Sequence, residues 1–122
     1  MYKRQVCEEV FFHVAEAPDG KDILSGLADQ LPQWSIAQAA YGRWLTAFSG
    51  NPKDGEPYIH NAVNLARLEE KPIVDTVLGE YQCVTGQIDK GLTTLNNVLQ
   101  EPITPPWLRV EAEKIIAKWQ PK

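Results

Sequence analysis

Hydrophobic residues recur along this chain at intervals of three or four positions, and turn-forming residues divide it into helix-length pieces. No stretch shows the sustained alternation of apolar and polar residues that is typical of a half-buried strand. The segment from Trp34 to Phe48 is apolar on two sides, which predicts a helix packed between neighbouring elements. Residues 73–85 and 88–99 carry further apolar stripes with helical spacing. The pattern therefore predicts an all-α fold.

The pieces at the two ends of the chain have helical patterns too. Further helices are predicted within residues 6–17, 21–31 and 56–70. The last helix is predicted from Pro105 to Trp119, with Thr104 as its N-cap and prolines in its first turn, where a missing N–H is tolerated. The charged back of this helix, which includes Arg109, is expected to face water.

A shift of 36 residues brings the second half of the chain into register with the first. It aligns Gly50 with Gly86 and Gly55 with Gly91, and it needs no gap. We interpret each unit as a helix A followed by a helix B, with one glycine at the turn and a second where B approaches A closely. Because such a pair buries only part of its apolar surface, neighbouring pairs are expected to stack.

The stretch LGEYQCVTGQIDKGLTTLNNVLQEP resembles the tetratricopeptide repeat, a helix-turn-helix unit of about 34 residues. Leu78 and Gly79 match its Leu-Gly pair, and Pro102 matches the proline that closes helix B. In the preceding unit, Gly42 and Arg43 stand in place of the Leu-Gly pair. Other α-solenoid families have helix pairs of this size, so another helical hairpin array or an irregular bundle is the alternative.

The resemblance implies antiparallel helix-turn-helix pairs that stack as a short TPR-like α-solenoid and bind a protein or peptide. It divides the chain into a partial first unit at residues 6–33, two repeats at 34–68 and 72–101, and a C-terminal capping helix at 105–119. In this family helix A lines the binding groove, and the matching positions are Ala37, Ala40, Trp44, Ala47, Phe48, Ile73, Thr76, Glu80, Cys83 and Val84. Trp44 and Phe48 could anchor a peptide there, or they could pack on the next helix. Since these positions hold no Lys, Arg or Asn, a carboxylate clamp is not expected.

Composition narrows the classes of partner. The chain has 122 residues and a net charge of −4, and it contains no basic run, which makes nucleic acid a poor partner. No apolar run reaches the roughly 18 to 20 residues that cross a bilayer, so we expect no membrane-spanning segment. Cys7 and Cys83 are lone cysteines far apart, and neither a disulfide framework nor a zinc site is expected.

The titratable residues form no pattern that is typical of catalysis. His13 and His60 belong to no HExxH or His-x-Cys motif, and the residues next to Cys83 offer no base to activate its thiol. Adjacent acidic residues are more typical of solvated helix faces than of an acid/base pair. We therefore predict no catalytic residue, no metal ligand and no cofactor site in this chain, and we predict that it is not an enzyme.

Residues 1–5, MYKRQ, resemble the translation of a transposon end that is used to tag DNA for sequencing. This resemblance predicts that residues 1–5 are not native and that the chain is the C-terminal fragment of a longer protein. A native basic tail is the alternative. If the chain is cut between units, Phe11 and Phe12 should form part of an exposed apolar end face.

The sequence is compatible with three functions. The first is a non-catalytic helical-repeat segment that mediates protein–protein interaction or assembly. The second is a helical appendage of an enzyme, for instance a membrane glycosyl-transfer or polymerase protein or a kinase, whose catalytic part lies upstream. The third is an α-helical ligand binder with Trp34, Tyr41 and Trp44 around an apolar pocket.

Overall fold

Helices form every regular element of the described structure. The computed structural model describes the backbone of residues 2 to 121 and the side chains of residues 8 to 121. The α-helices are α1 (Tyr2–Val14), α2 (Gly20–Gln30), α3 (Ser35–Ala47), α4 (Glu56–Leu65), α5 (Lys71–Val84), α6 (Ile88–Gln100) and α7 (Pro106–Trp119). Short 3-10 helices at Pro52–Gly55 and Leu68–Glu70 precede α4 and α5. Within these residues there is no strand, which confirms the all-α prediction.

Two sequence interpretations concern the start of the chain and membrane-spanning segments. Met1 and the side chains of residues 2 to 7 lie outside the described part of the chain, so the interpretation of residues 1–5 as a non-native start falls outside it as well. Among the helices that are described, none combines the length and the apolar character needed to cross a membrane.

The fourth predicted helix is shorter in the structure than the sequence pattern suggested. It ends at Leu65, and Ala66 has an extended backbone with φ −63° and ψ 127°. The residues after it form the separate 3-10 helix at Leu68–Glu70. The apolar spacing continues through this break, which is why periodicity alone predicted one helix over 56–70.

Side chains at the connection between α6 and α7 have roles that the sequence pattern did not predict. The Thr104 hydroxyl donates to the carbonyl of Val98 at 2.7 Å, and the N-cap of α7 is Pro105. The half-buried Arg109 guanidinium donates to three carbonyls at the end of α6 and in the connection, the shortest at 2.5 Å to Leu99. The Leu99 carbonyl lies in the last turn of α6, where carbonyls lack partners within the helix, and a cation suits the negative end of the helix dipole. The predicted N-cap at Thr104 and the water-facing role of Arg109 were therefore wrong.

The predicted turn glycines adopt the conformation that such turns require. Gly50 has φ 86° and Gly86 has φ 94°, in the left-handed region that side-chain-bearing residues rarely adopt. The second glycine of each pair also lies at a close approach between helices. A Cβ atom on Gly91 would lie 2.5 Å from the Cys83 sulfur, and a Cβ atom on Gly55 would lie 2.6 Å from the Thr46 hydroxyl.

These contacts correct the register of the repeat in helix A. Gly91 packs against the backbone of Gly79, whereas Gly55 packs against the backbone of Gly42. The glycines of helix B are 36 positions apart, but those of helix A are 37 apart. The gapless alignment was therefore wrong for helix A, and Gly42 rather than Arg43 is equivalent to Gly79. The segment from Gly42 to Gly50 is therefore one residue longer than the segment from Gly79 to Gly86.

Each α-helix packs on the next one in sequence, and the buried side chains form three clusters. Helix α3 packs on α4 and α5, α5 packs on α6 and α7, and α2 packs on α3. The largest cluster of buried residues draws on five helices and consists of Phe12, Ile36, Ala39, Ile59, Ala62, Ile73, Val74, Val77, Tyr81 and Leu108. Helix α1 packs more extensively on α3 than on α2, its neighbour in sequence.

The aromatic pair of α1 does not form an exposed end face. Phe12 is 1% exposed and belongs to the main core, and Phe11 is half-buried with its ring edge-on to Trp34 at 5.6 Å. The expectation that both rings are exposed was wrong for Phe12. The sequence pattern missed this because α1 buries Phe12 against helices that are distant in sequence.

Candidate functional site

The structure places the ten positions of the expected groove in two groups. Ala37, Ala40, Ile73, Thr76 and Cys83 are each less than 5% exposed. The other five lie at the C-terminal ends of α3 and α5, where Trp44, Glu80 and Val84 are half-buried and Ala47 and Phe48 are exposed. A peptide could therefore reach only the second group in this conformation.

Neighbouring helices cover the buried group. Ile73 shares the main core with Phe12 of α1 and Leu108 of α7. Ala40 is buried in a second cluster with Ala15, which directly follows α1, and Leu24 of α2. The rings of Phe12 and Trp107 lie 5.7 Å apart and meet edge-on, so α1 and α7 touch each other across the A helices.

Cys83 is a buried thiol and not an activated nucleophile. It lies in a third cluster with Leu95 and Ala112, and it is 1% exposed. Burial raises the pKa of the Cys83 thiol, and the negative charge of Glu80 raises it further. Because the thiolate is the reactive form, both effects lower the reactivity of this residue.

A buried arginine connects α1, α3 and α5. Arg43 is 6% exposed, and its guanidinium donates to the Phe12 carbonyl at 2.8 Å, to Glu16 at 3.2 Å and to Glu80 at 3.1 Å. The same guanidinium lies 3.9 Å from the centre of the Phe12 ring and 5.6 Å from that of Phe48. We call these five residues the Arg43 cluster. The planar guanidinium suits this role since it can stack on a ring and donate several hydrogen bonds at once.

The charged contacts continue from Glu16 towards α7. His13 Nδ1 lies 3.3 Å from Glu16, and His13 Nε2 lies 3.9 Å from Glu111. One ligand atom from each of these residues falls within 4.8 Å of the others, a grouping of the kind that can hold a metal ion. Both carboxylates already have cationic partners, because Arg43 binds Glu16 and Lys114 binds Glu111, each at 3.2 Å.

An open cleft lies between the connection from α2 to α3 and the connection from α4 to α5. It has a volume of about 600 Å³, and its lining residues are Gln30, Leu31, Pro32, Gln33, Trp34, Leu65, Arg67 and Glu70. We call it the loop cleft. Leu31 is 44% exposed, and Trp34 is half-buried with its ring anchored on Phe11. The cleft thus combines aliphatic, aromatic, amide and cationic groups on one surface.

Hydrogen bonds at Glu70 hold the two walls of the loop cleft together. Glu70 is 4% exposed and accepts a hydrogen bond from the Ser35 hydroxyl at 2.7 Å and one from the Arg67 backbone N–H at 3.0 Å. Ser35 begins α3, whereas Glu70 ends the 3-10 helix before α5. Sequence patterns did not indicate this site because its walls come from connections about 35 residues apart.

The aromatic residues of the third hypothesis do not enclose one pocket. Tyr41 and Trp44 stack with ring centres 6.5 Å apart, and Tyr58 meets Tyr41 edge-on at 4.8 Å. Trp34 packs instead on Phe11 and lines the loop cleft. Tyr41 and Trp44 therefore lie in one cluster, which packs between α3 and α4, and Trp34 lies in another.

Tyr81 makes a hydrogen bond that gives a test of the packing between α4 and α5. Its hydroxyl donates to Glu56 at 2.6 Å, and burial together with this hydrogen bond raises the pKa of Tyr81 to about 12. An unfolded tyrosine titrates near pH 10. The folded chain therefore holds the phenol proton more tightly, and this contribution to stability is complete below pH 10 and lost between about pH 10 and 12.

We expect Tyr81→Phe to lose less stability than the wild type as the pH rises from 10 to 12. Urea unfolding at pH 9, 10, 11 and 12 measures the difference. Tyr58→Phe is the control, and it should follow the wild-type curve over the same interval. An alkaline loss in Tyr81→Phe equal to that of the wild type would contradict the assignment.

Comparison of the chain with protein-family models, with curated proteins and with solved structures gave no match in any of the three.

Proposed function

We propose that the chain is a non-catalytic, TPR-like array of helical hairpins that mediates protein–protein interaction, and that it binds an extended segment of a partner in the loop cleft. The observation that carries the proposal is the composition of this cleft. Trp34 and Arg67 belong to the residue types that most often dominate binding energy at protein interfaces. The exposed Leu31 adds apolar area beside them.

Packing between the hairpins supports the repeat part of the proposal. Equivalent glycines, Gly42 with Gly55 and Gly79 with Gly91, bring helices A and B together in the two central pairs. Successive A helices pack side by side, as α3 does on α5. Nearest-neighbour packing of this kind is the basis of repeat arrays.

The open geometry of the loop cleft favours an extended segment over a small molecule. Small-molecule sites bury most of the ligand in a concave pocket, whereas this cleft is wide and exposed along one side. The side-chain amides of Gln30 and Gln33 offer both donors and acceptors, which suits the main chain of an extended peptide. Arg67 adds a group that recognises a carboxylate.

Selection of peptides from a random displayed library on the folded full chain tests this proposal. Selected peptides, made as fluorescent ligands, should bind Leu31→Asp and Arg67→Glu at least about tenfold more weakly than wild type, as expected when a hot-spot contact is lost. Val63→Asp is the matched control, because Val63 is 41% exposed on α4 and does not line the cleft. Equal affinities for Leu31→Asp and wild type, measured by fluorescence anisotropy, would refute the loop cleft as the binding site.

A further inference from the structure

Helix α1 is bound to the rest of the chain like a helical ligand in a groove. Its buried residues Glu8 and Phe12 lie about one turn apart on one face, and Ala15, directly after the helix, is buried as well, whereas Val10 on another face is 51% exposed. Phe12 enters the main core, and its backbone carbonyl accepts a hydrogen bond from Arg43. Anchors spaced by three and four residues are typical of an amphipathic helix that lies in a groove.

The surface under α1 comes from helices that pack together without it. Arg43 belongs to α3, Trp34 is the residue directly before α3, and Trp107 belongs to α7. Helix α5 joins α3 to α7 and supplies Glu80 as the second carboxylate partner of Arg43. Contacts with α2 are less extensive than those with α3, so the hold on α1 comes mainly from this surface.

The fit between α1 and α7 is incomplete. In the part of the chain that the structure describes, the indole nitrogen of Trp107 is a buried side-chain atom with no hydrogen-bond partner. The Trp107 ring lies beside two rings of α1, at 5.7 Å from Phe12 and 6.3 Å from His13. A buried donor without an acceptor is costly, and a helix that supplied the acceptor would fit this surface better than α1 does.

We propose that α1 is a replaceable occupant of a helix-binding surface formed by α3, α5 and α7. The partner for this surface is an amphipathic helix of another protein. It carries two adjacent aromatic residues one turn before a carboxylate, with the spacing of Phe11, Phe12 and Glu16. It also carries a hydrogen-bond acceptor for the Trp107 indole. This surface shares Trp34 with the loop cleft but is otherwise formed by different residues, and it is open to a partner only while α1 is displaced. The resident helix therefore regulates access to it.

The experiment adds a peptide of residues 6–17, with Ser in place of Cys7, to the full chain. Resident α1 competes at the high effective concentration of a tethered segment, so binding to the wild type should be weak. Phe12→Ala in the chain removes the main anchor of α1, and the peptide should bind this variant at least about tenfold more tightly and restore its melting temperature. The peptide with Phe12→Ala should do neither.

A milder pair of variants keeps the test valid if Phe12→Ala does not fold. Glu16→Ala removes a half-exposed partner of Arg43 and should increase peptide affinity two- to fivefold, the range of an exposed ion pair. Glu9→Ala makes the same charge change on α1 away from Arg43 and should leave the affinity unchanged. Hydrogen exchange of the full chain should show that bound peptide speeds exchange in α1 and leaves α5 protected.

Two outcomes would overturn the proposal: bound peptide with undiminished protection of α1, or equal peptide affinity for wild type, Glu16→Ala and Phe12→Ala. Leu31→Asp should not change binding of the α1 peptide, and Glu16→Ala should not change binding of peptides selected for the loop cleft. Failure of this inference and failure of the proposed function can therefore be told apart.

Discussion

Arg43→Met is expected to lower the free energy of unfolding by about 3 to 5 kcal/mol, the range for breaking a buried ion pair by removal of one partner. Methionine can replace the aliphatic part of the side chain, but it cannot donate hydrogen bonds. Two acceptors would each lose a hydrogen-bond donor, the Phe12 carbonyl and the Glu80 carboxylate. The Glu80 side chain is only 12% exposed, so water replaces the donor poorly. Contact of the cation with the Phe12 ring would be lost as well.

Urea unfolding monitored by circular dichroism measures this loss. Lys53→Met removes a cation from an exposed position and should change the stability by less than about 0.5 kcal/mol. Relative to the wild type, Arg43→Met should also speed hydrogen exchange more in α1 than in α6, because Arg43 contacts α1 and not α6. A loss as small as that of Lys53→Met would mean that Arg43 does not hold α1 to α3.

Gly91→Ala is expected to destabilise the chain by about 1 to 3 kcal/mol or more, the cost of overpacking a rigid contact. The added Cβ would lie 2.7 Å from the Gly79 carbonyl oxygen and 2.9 Å from the Cys83 nitrogen, and both are backbone atoms of α5. The two helices of the pair would have to separate, since neither atom can rotate away. Alanine's greater helix propensity offsets only about 1 kcal/mol of this cost.

Gly26→Ala is the matched control for this prediction. Gly26 lies within α2, and a Cβ atom there would meet nothing within 4 Å. The same substitution should therefore stabilise the chain by about 0.5 to 1 kcal/mol. Chemical denaturation of both variants gives the comparison, and a Gly91→Ala variant as stable as Gly26→Ala would rule out the close approach of α5 and α6.

Sequence patterns predicted the features of this fold that depend on local spacing. Apolar residues three and four positions apart predict helices, and Gly50 and Gly86 mark turns because the left-handed backbone favours glycine. The sequence alignment did not show that the glycines of the A helices are 37 and not 36 positions apart, because neighbouring alignment shifts match apolar residues about equally well. Gly42, a glycine inside an otherwise apolar helix, was the available signal for the correct register.

The binding surfaces were less predictable, because they depend on contacts between distant segments. Arg43 stood out in sequence only as a departure from a repeat motif, yet a lone charge in the apolar helix α3 indicates a buried cation with partners elsewhere. Nothing near Phe12 in sequence shows that it reaches Trp107, about 95 residues later. The transferred groove positions assumed an open concave side, and this chain covers much of that side with α1 and α7.

One NMR measurement shows whether α1 docks across α3 and α5 onto α7. With the Phe12 and Trp107 ring centres 5.7 Å apart, we expect nuclear Overhauser contacts between the protons of the two rings in the full chain. Contacts between Leu95 and Gly79 serve as the internal reference for the α5–α6 pair. If the Leu95–Gly79 contacts are observed and no contact between Phe12 and Trp107 is, α1 does not dock against α7.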